Sequence, residues 1–321
     1  MNRFLKVFFF AVTLASLLFG FGVQAAEYPT KTVQIVNPFP PGATTDIVAR
    51  LLTDKLSAAL GQPVVVVNKT GGGGAVGIKA VKDAPADGYT ILIAPPPVAL
   101  IPLARKGIGF ELGDFTPLNL LGRTPAVMIV KADSPWKTVE DFIAEAKKKP
   151  GQLTFGTPGT GTSGHFAMEL FKKETGIDLI HVPLGGEAPV ATGVLGGNIH
   201  TSIIGMGTVR PHLEAGGLRA LVAATEKRVK ELPLVPTTFE KGLPAVEASP
   251  WFVFFVRANT PPAIVNRLAN VFRNTIADRE IAAKIEKAGV SVENIGPEVT
   301  KKFLAAEHKR WSEVAKIAKL D

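Results

Sequence analysis

The chain has 321 residues, of which 32 are Gly, 25 are Pro and none is Cys. With 46% hydrophobic and only 20% charged residues it is too apolar to be disordered, and the absence of Cys excludes disulfides, thiolate metal sites, iron–sulfur clusters, cysteine nucleophiles and lipoprotein anchoring. The formal charge of +8, from 36 basic and 28 acidic residues, raises nucleic acid or an anionic membrane as partners, so the placement of those charges matters.

The chain starts Met-Asn-Arg3-Phe-Leu-Lys6 and then runs without a charge from residue 7 to residue 26, with small residues at Val23 and Ala25. A basic start, an apolar run and small residues before a cleavage point predict a secretory signal peptide over residues 1–25. An uncleaved membrane anchor is the competing reading, and the flanks and the cleavage pattern speak against it. Cleavage after Ala25 removes two of the positive charges and yields an exported, soluble protein.

A β-branched run predicts a strand over 32–36, leading into Asn37-Pro-Phe-Pro-Pro-Gly-Ala-Thr-Thr45. Val48, Leu52, Leu56 and Ala59 then recur at helical spacing, with Gly61 as the stop. A strand follows over 64–67, then a Gly-rich turn, a helix towards Asp83 and a strand over 89–93. Successive β-α-β units predict a parallel sheet with helices on both faces. A second series comprises strands over 126–130, 153–155, 179–182, 199–204 and 218–223, with helices over 139–148, 165–173, 188–195 and 209–215. The segment 249–256, apolar on nearly every residue, predicts a central buried strand. The remainder reads as helical and ends over 297–320, where Leu304 and Trp311 mark a buried stripe. The chain thus crosses between two α/β domains near 123–130 and returns near 249–256. One domain comprises 26–125 plus 250–321 and the other 126–249, with a ligand cleft between them.

Gly72-Gly-Gly74-Ala-Val-Gly77 satisfies G-x-G-x-x-G with Asp87 downstream, which taken alone suggests a dinucleotide site. Its place in the second βα unit and in a run of four glycines favours a tight turn packing helix on strand. The first βα loop is more informative. Pro40 and Pro41 stiffen it, Gly42 lets it turn, and Thr44 or Thr45 can cap a helix whose first amides point outwards to an anion. In the other half, Gly156-Thr-Pro-Gly-Thr-Gly-Thr-Ser-Gly-His165 again follows a strand and opens a helix. Thr157, Thr160, Thr162 and Ser163 among its glycines offer donors without bulk or charge, suited to a carboxylate. The loop is not G-x-S-x-G, so a serine hydrolase is poorly supported, and His165 reads first as a capping or packed residue. The other histidines have no metal-ligand spacing, with His308 packed by default. The basic pairs and triplets fall on helix faces beside acids, with no nucleic-acid motif.

At these loops the sequence resembles the Bug family, the periplasmic substrate-binding receptors of tripartite tricarboxylate transporters. The resemblance is carried by Tyr28-Pro-x-Lys31, Pro38-Phe-Pro-Pro-Gly-x-x-x-Asp46, Leu60-Gly-Gln-Pro-Val-Val65, Pro85-x-Asp-Gly-Tyr-Thr90 and Asp114-Phe-Thr-Pro117. It continues through Lys149-Pro-Gly-Gln-Leu153, Gly159-x-Gly161 to His165, His181-Val-Pro183, Leu195-Gly-Gly197, Leu218-Arg-Ala-Leu221 and Leu234-x-Pro-Thr237, in order along the whole mature chain. It implies an α/β, two-domain periplasmic-binding-protein fold (Venus flytrap, type II) without catalysis or cofactor. It also implies a monomeric receptor in the periplasm that hands an organic acid to a membrane permease. A sensing subunit that presents the bound acid to a membrane sensor kinase would need the same cleft.

The residues that the resemblance assigns to the ligand carboxylate are Phe39, Gly42, Ala43, Thr44 and Thr45 of the first loop, with Thr157, Gly161, Thr162 and Ser163 of the second. Ala94, Pro95 and Pro96 form a third wall, made apolar and rigid by its prolines, and His165 and Gly205 complete the expected set. Two departures stand out. Val182-Pro-Leu184-Gly185-Gly186 replaces a common Val-Pro-Tyr-Lys-Gly, and Ile204-Gly205 replaces a common Phe-Asp-Asn. Losing that acid leaves a ligand amino group without a partner, so the sequence points to a dicarboxylate or an aromatic acid without an amine.

Overall fold

The computed structural model describes residues 28–318; the signal peptide expected over 1–25 lies outside the described residues. The first four strands are β1 (Val33–Asn37), β2 (Val64–Asn68), β3 (Thr90–Ala94) and β4 (Phe115–Arg123), linked by helices α1 (Thr44–Leu60), α2 (Ala75–Lys82) and α3 (Pro97–Ala104). Val48, Leu52 and Leu56 of α1 are fully buried, so the helical spacing read from the sequence is the face that packs on the sheet.

The chain then enters a second set of strands, β5 (Ala126–Lys131), β6 (Thr154–Thr157), β7 (Ile180–Pro183), β8 (Ser202–Gly205) and β9 (Leu218–Ala223). Between them lie α4 (Val139–Lys148), α5 (Ser163–Thr175), α6 (Glu187–Leu195) and α7 (Met206–Glu214). Strand β5 is central, antiparallel to both β8 and β9, and β6 pairs in parallel with β7. A single bridge from Phe155 to Thr201 joins the two groups.

The return runs through β10 (Trp251–Arg257), α8 (Pro262–Ile276), α9 (Arg279–Lys287), β11 (Ser291–Ile295) and α10 (Pro297–Ala318). Six strands make one sheet in the order β11-β4-β10-β3-β1-β2. It is mixed and not parallel throughout: β1 lies parallel to β2 and β3, but β10 runs antiparallel between β3 and β4, and β11 antiparallel to β4. A strand that returns from the other half enters from the opposite end, which reverses its direction. All of β10 except Arg257 is buried, as its unbroken apolar run requires.

The two crossings lie side by side, with the Thr124 amide donating to Pro250 O (2.9 Å) and the Ala126 amide to Ala248 O (3.2 Å). Helix α10 serves both halves. Leu304 belongs to the core beneath the six-stranded sheet and Trp311 to the core around α5, where its ring meets Phe166 edge-on at 5.5 Å. The indole N–H groups of Trp251 and Trp311 both donate to Glu307 Oε2, at 3.1 and 3.0 Å.

Candidate functional site

The first loop is shaped by Asp46, in the first turn of α1. Its buried carboxylate accepts from the Gly42 amide (3.0 Å), Arg50 Nε (3.0 Å) and Asn68 Nδ2 (2.9 Å). Burial pushes this carboxyl up, but the hydrogen bonds from Arg50, Asn68 and Gly42 outweigh it and hold it below the ordinary aspartate range. Gly42 sits at φ +84°, where a side chain would be strained. Its amide, expected to serve the ligand, is taken by Asp46.

Neither Thr44 nor Thr45 caps α1. Ala43 holds the N-cap position with no side-chain cap, and the two threonines form the first turn. Their amides are among those that a helix cannot satisfy itself. Their hydroxyls, on residues only 4% and 3% exposed, have no protein partner.

The second loop divides into residues that build it and residues that face the cavity. Thr157 is fully buried; its Oγ1 accepts from the Gly159 amide (3.2 Å) and lies 2.6 Å from His181 Nε2. The Thr162 hydroxyl donates to Gly159 O (2.8 Å). Gly161 packs on α3, where a Cβ would stand 3.0 Å from Ile101 Cα. His165 is 5% exposed and stacks on His181 with ring centroids 4.2 Å apart, its Nδ1 accepting from the Gly161 amide at 3.4 Å. It is a packed residue behind the loop. Burial, His181 and Lys172 push it down to about 3, and burial with Lys172 pushes His181 down to about 4. Both rings are neutral at pH 7. The start of α5, Ser163 and Gly164, is left facing the cavity.

One cavity of about 50 Å³ collects these groups. A water needs roughly 10–15 Å³ of such space, so the cavity admits a slender acid. Of the expected residues the structure brings together Phe39, Ala43, Thr44, Thr45, Pro95, Thr162 and Ser163 on its wall. Gly42, Ala94, Pro96, Thr157, Gly161, His165 and Gly205 lie behind or beside that wall. Ala94 ends β3 and Pro96 is the N-cap of α3. Phe252 of the return strand with Pro250 just before it, and Ile203 and Ile204 of β8, were not foreseen.

Nor was Glu187. The half-buried first residue of α6 lines the cavity, its Oε1 accepting from the Gly205 amide (3.3 Å) and its Oε2 from Thr208 Oγ1 (2.7 Å). Burial holds its carboxyl above the ordinary glutamate range despite these two bonds. The expectation that the cleft holds no acid for a ligand amine is thereby corrected. The acid comes from α6 instead of the end of β8, and an acid directly after Gly185-Gly186 at a helix start was its signal.

The glycine run also gains a role. The Gly72–Gly74 turn meets the second loop, so that a Cβ on Gly159 would lie 2.6 Å from Gly73 Cα. Gly77 lets α2 pack on Pro38, its Cβ position 2.7 Å from Pro38 Cα. Both are close backbone approaches, as a packing turn requires.

A wider groove of about 450 Å³ carries Arg123, Arg210, Arg228 and Lys230. Its arginines are already paired, Arg123 with Glu293, Arg210 with Glu214 and Arg228 with Glu240. Among the described residues no helix is long and apolar enough to cross a membrane, and no group of His, Asp or Glu could hold a metal ion.

Two α/β halves joined by paired crossings, with helix starts from both meeting in one cavity, define a two-domain periplasmic-binding-protein fold. Comparison with known proteins agrees. Residues 48–320 match the tripartite tricarboxylate transporter family receptor model. Protein BugT of Bordetella pertussis is 32% identical over 319 residues, 98% of this chain and 97% of that one. Among solved structures, the periplasmic binding protein BugD superposes with TM-score 0.86 at 28% identity, over 92% of this chain and 99% of that one. An R. palustris protein solved with adipate superposes with TM-score 0.84 at 34% identity, over 91% and 98% of the two chains. MatC from Rhodopseudomonas palustris, with bound malate, gives 0.85 at 26% identity, over 90% and 100%. The chain belongs to the tripartite tricarboxylate transporter receptor family. Its members are substrate-binding receptors and not enzymes.

Proposed function

We propose that this chain is a periplasmic receptor that captures a small organic carboxylate, a dicarboxylate or an aromatic acid, and delivers it to the permease of a tripartite tricarboxylate-type transporter. The chain is exported by way of signal peptide 1–25, works as a monomer, and closes its lobes, 26–125 with 250–321 and 126–249, around the acid. The observation that carries this reading is the pair of buried, unpartnered hydroxyls on Thr44 and Thr45, in the first turn of α1, two residues that line a cavity which the start of α5 also faces. Two helix starts add their positive ends, each contributing about 0.3–1 kcal/mol to holding an anion. The rest of the wall is largely apolar, with Phe39, Phe252 and four prolines, and suits a carbon skeleton. The adipate and malate of the two neighbours support the ligand class.

A thermal-shift screen of dicarboxylic and aromatic acids, followed by calorimetric titration, tests the reading. A ligand at 100 times its Kd stabilises by about 2.7 kcal/mol. Thr44→Tyr, which fills the cavity, should abolish that shift. A panel without a single binder, or binding that survives the blocked cavity, would overturn it.

A further inference from the structure

The cavity that offers donors to an anion also contains a carboxyl group of its own, and burial without a cationic partner disfavours its ionised form. Glu187 accepts one hydrogen bond on each carboxylate oxygen, and one of them, from the Gly205 amide, is long at 3.3 Å. A carboxylate has about four acceptor sites, so roughly half of its capacity is unused. Among the described residues no Lys, Arg or His nitrogen lies within 4.0 Å of it; every other cavity-lining residue is uncharged. An ionised Glu187 repels a plain ligand carboxylate, and an uncompensated charge in a closing cleft is costly. The arrangement becomes favourable when the ligand brings a donor to that end.

Gly205 and Glu187 are fitted to one another. A Cβ on Gly205 would stand 3.3 Å from Glu187 Oε1 and 3.1 Å from Thr124 Cγ2, so a side chain at 205 would crowd the carboxylate. The buried β8 end gives its amide to Glu187 while Thr208, in the first turn of α7, holds the other oxygen. The carboxylate is therefore held in place from two elements while it faces the cavity.

We infer that Glu187 is a specificity-determining residue, and that the ligand is a carboxylic acid carrying a second group that donates a hydrogen bond, an ammonium or a hydroxyl, to Glu187. This rests on the receptor reading above: the Thr44, Thr45 and Ser163 side holds the ligand carboxylate, and Glu187 reads the donor. It replaces an acid without an amine as the ligand class.

The test is a matched panel on the full mature chain: succinate, malate and aspartate, which share one skeleton and differ only in bearing H, hydroxyl or ammonium at one carbon, with glutarate, 2-hydroxyglutarate and glutamate as the longer set. Wild-type protein should bind a donor-bearing member at least tenfold more tightly than its unsubstituted parent. Preference for the amine over the hydroxyl would identify the donor as ammonium, and the reverse as hydroxyl. Glu187→Gln should shrink that preference at least tenfold while the parent binds unchanged or more tightly, and Glu187→Asp should restore part of it. An unsubstituted parent that binds wild type as tightly as its substituted partners overturns the inference alone. So does a preference that Glu187→Gln leaves intact. The wild-type panel decides even if a variant fails to fold, and a panel in which nothing binds overturns the receptor reading together with this one.

Discussion

The backbones of Gly207 and Gly289 touch: a Cβ on Gly289 would stand 2.7 Å from Gly207 Cα. Gly207 lies in the first turn of α7 and Gly289 follows α9, so the contact joins the half built around β5 to the half built around β10. A Cβ on Gly207 would also lie 2.7 Å from Ala288 O and 2.9 Å from Thr44 Oγ1. The absence of a side chain here sets how closely the two halves approach beside the cavity.

Gly207→Ala should therefore push the two halves apart and weaken ligand binding by tenfold or more, while each half keeps its own packing. Alanine is the better helix former by about 1 kcal/mol, so α7 itself gains. Calorimetric titration beside a thermal melt checks both halves of this expectation; undiminished affinity would mean that the contact has no part in closure.

Thr44→Val should move stability and affinity in opposite directions. The hydroxyl is buried without a partner, a state that costs about 1–3 kcal/mol, and valine keeps the shape. The unliganded protein should melt higher, by up to a few degrees, while the affinity for the acid falls at least tenfold. Two melts and two titrations suffice.

Asp46→Asn should loosen the first loop. It weakens hydrogen bonds to a charged group from Arg50, Asn68 and Gly42, with an expected loss of about 1–3 kcal/mol. Because the folded protein holds this carboxyl below its ordinary value of 3.8, its contribution is complete above that pH and is lost as pH falls through the depressed folded value. Denaturant titrations from pH 7 to pH 3 should show the difference between wild type and variant shrinking at the acid end.

His165 and His181 give a second acid limb at higher pH. Both are depressed from 6.5, to about 3 and about 4, so the unfolded chain binds protons that the folded one refuses. Their contribution is full above pH 6.5 and falls as the solution is acidified, by about 2 kcal/mol per ring between pH 6.5 and pH 5. His165→Gln retains an acceptor for the Gly161 amide and should flatten that slope. An unchanged slope would place the titration elsewhere.

Strands and helices with clean periodicity were legible from the sequence: β2, β5, β9 and α1 lie within two residues of their expected bounds. What escaped has specific causes. Strand β4 contains Pro117, Asn119 and Gly122, which break an apolar run, and edge strand β11 reads Ser-Val-Glu-Asn-Ile, three of its five residues polar. Helix α3 hides behind three prolines and carries a fourth, Pro102, in its interior. The two anion-facing loops were visible because Gly, Pro and hydroxyl residues mark a strand-to-helix turn. Sequence alone could not tell which of their polar groups are already used, because the partners (Asp46 for Gly42, His181 and Gly159 for Thr157) depend on where the chain folds back. Glu187 escaped for the opposite reason: an acid at the start of a helix needs no ligand to explain it.

Arg50 stands outside the cavity, with its side chain 51% exposed, yet it governs the potential at the first helix start. Asp46 places a full negative charge within one turn of the amides that would receive an anion, enough to cancel the roughly half-unit positive end of α1. The Arg50 guanidinium, 3.0 Å from Asp46 Oδ1, neutralises that carboxylate and lets the helix end keep its sign. A cation that never meets the ligand thus leaves Asp46 free to act as a scaffold for the loop without becoming a repellent.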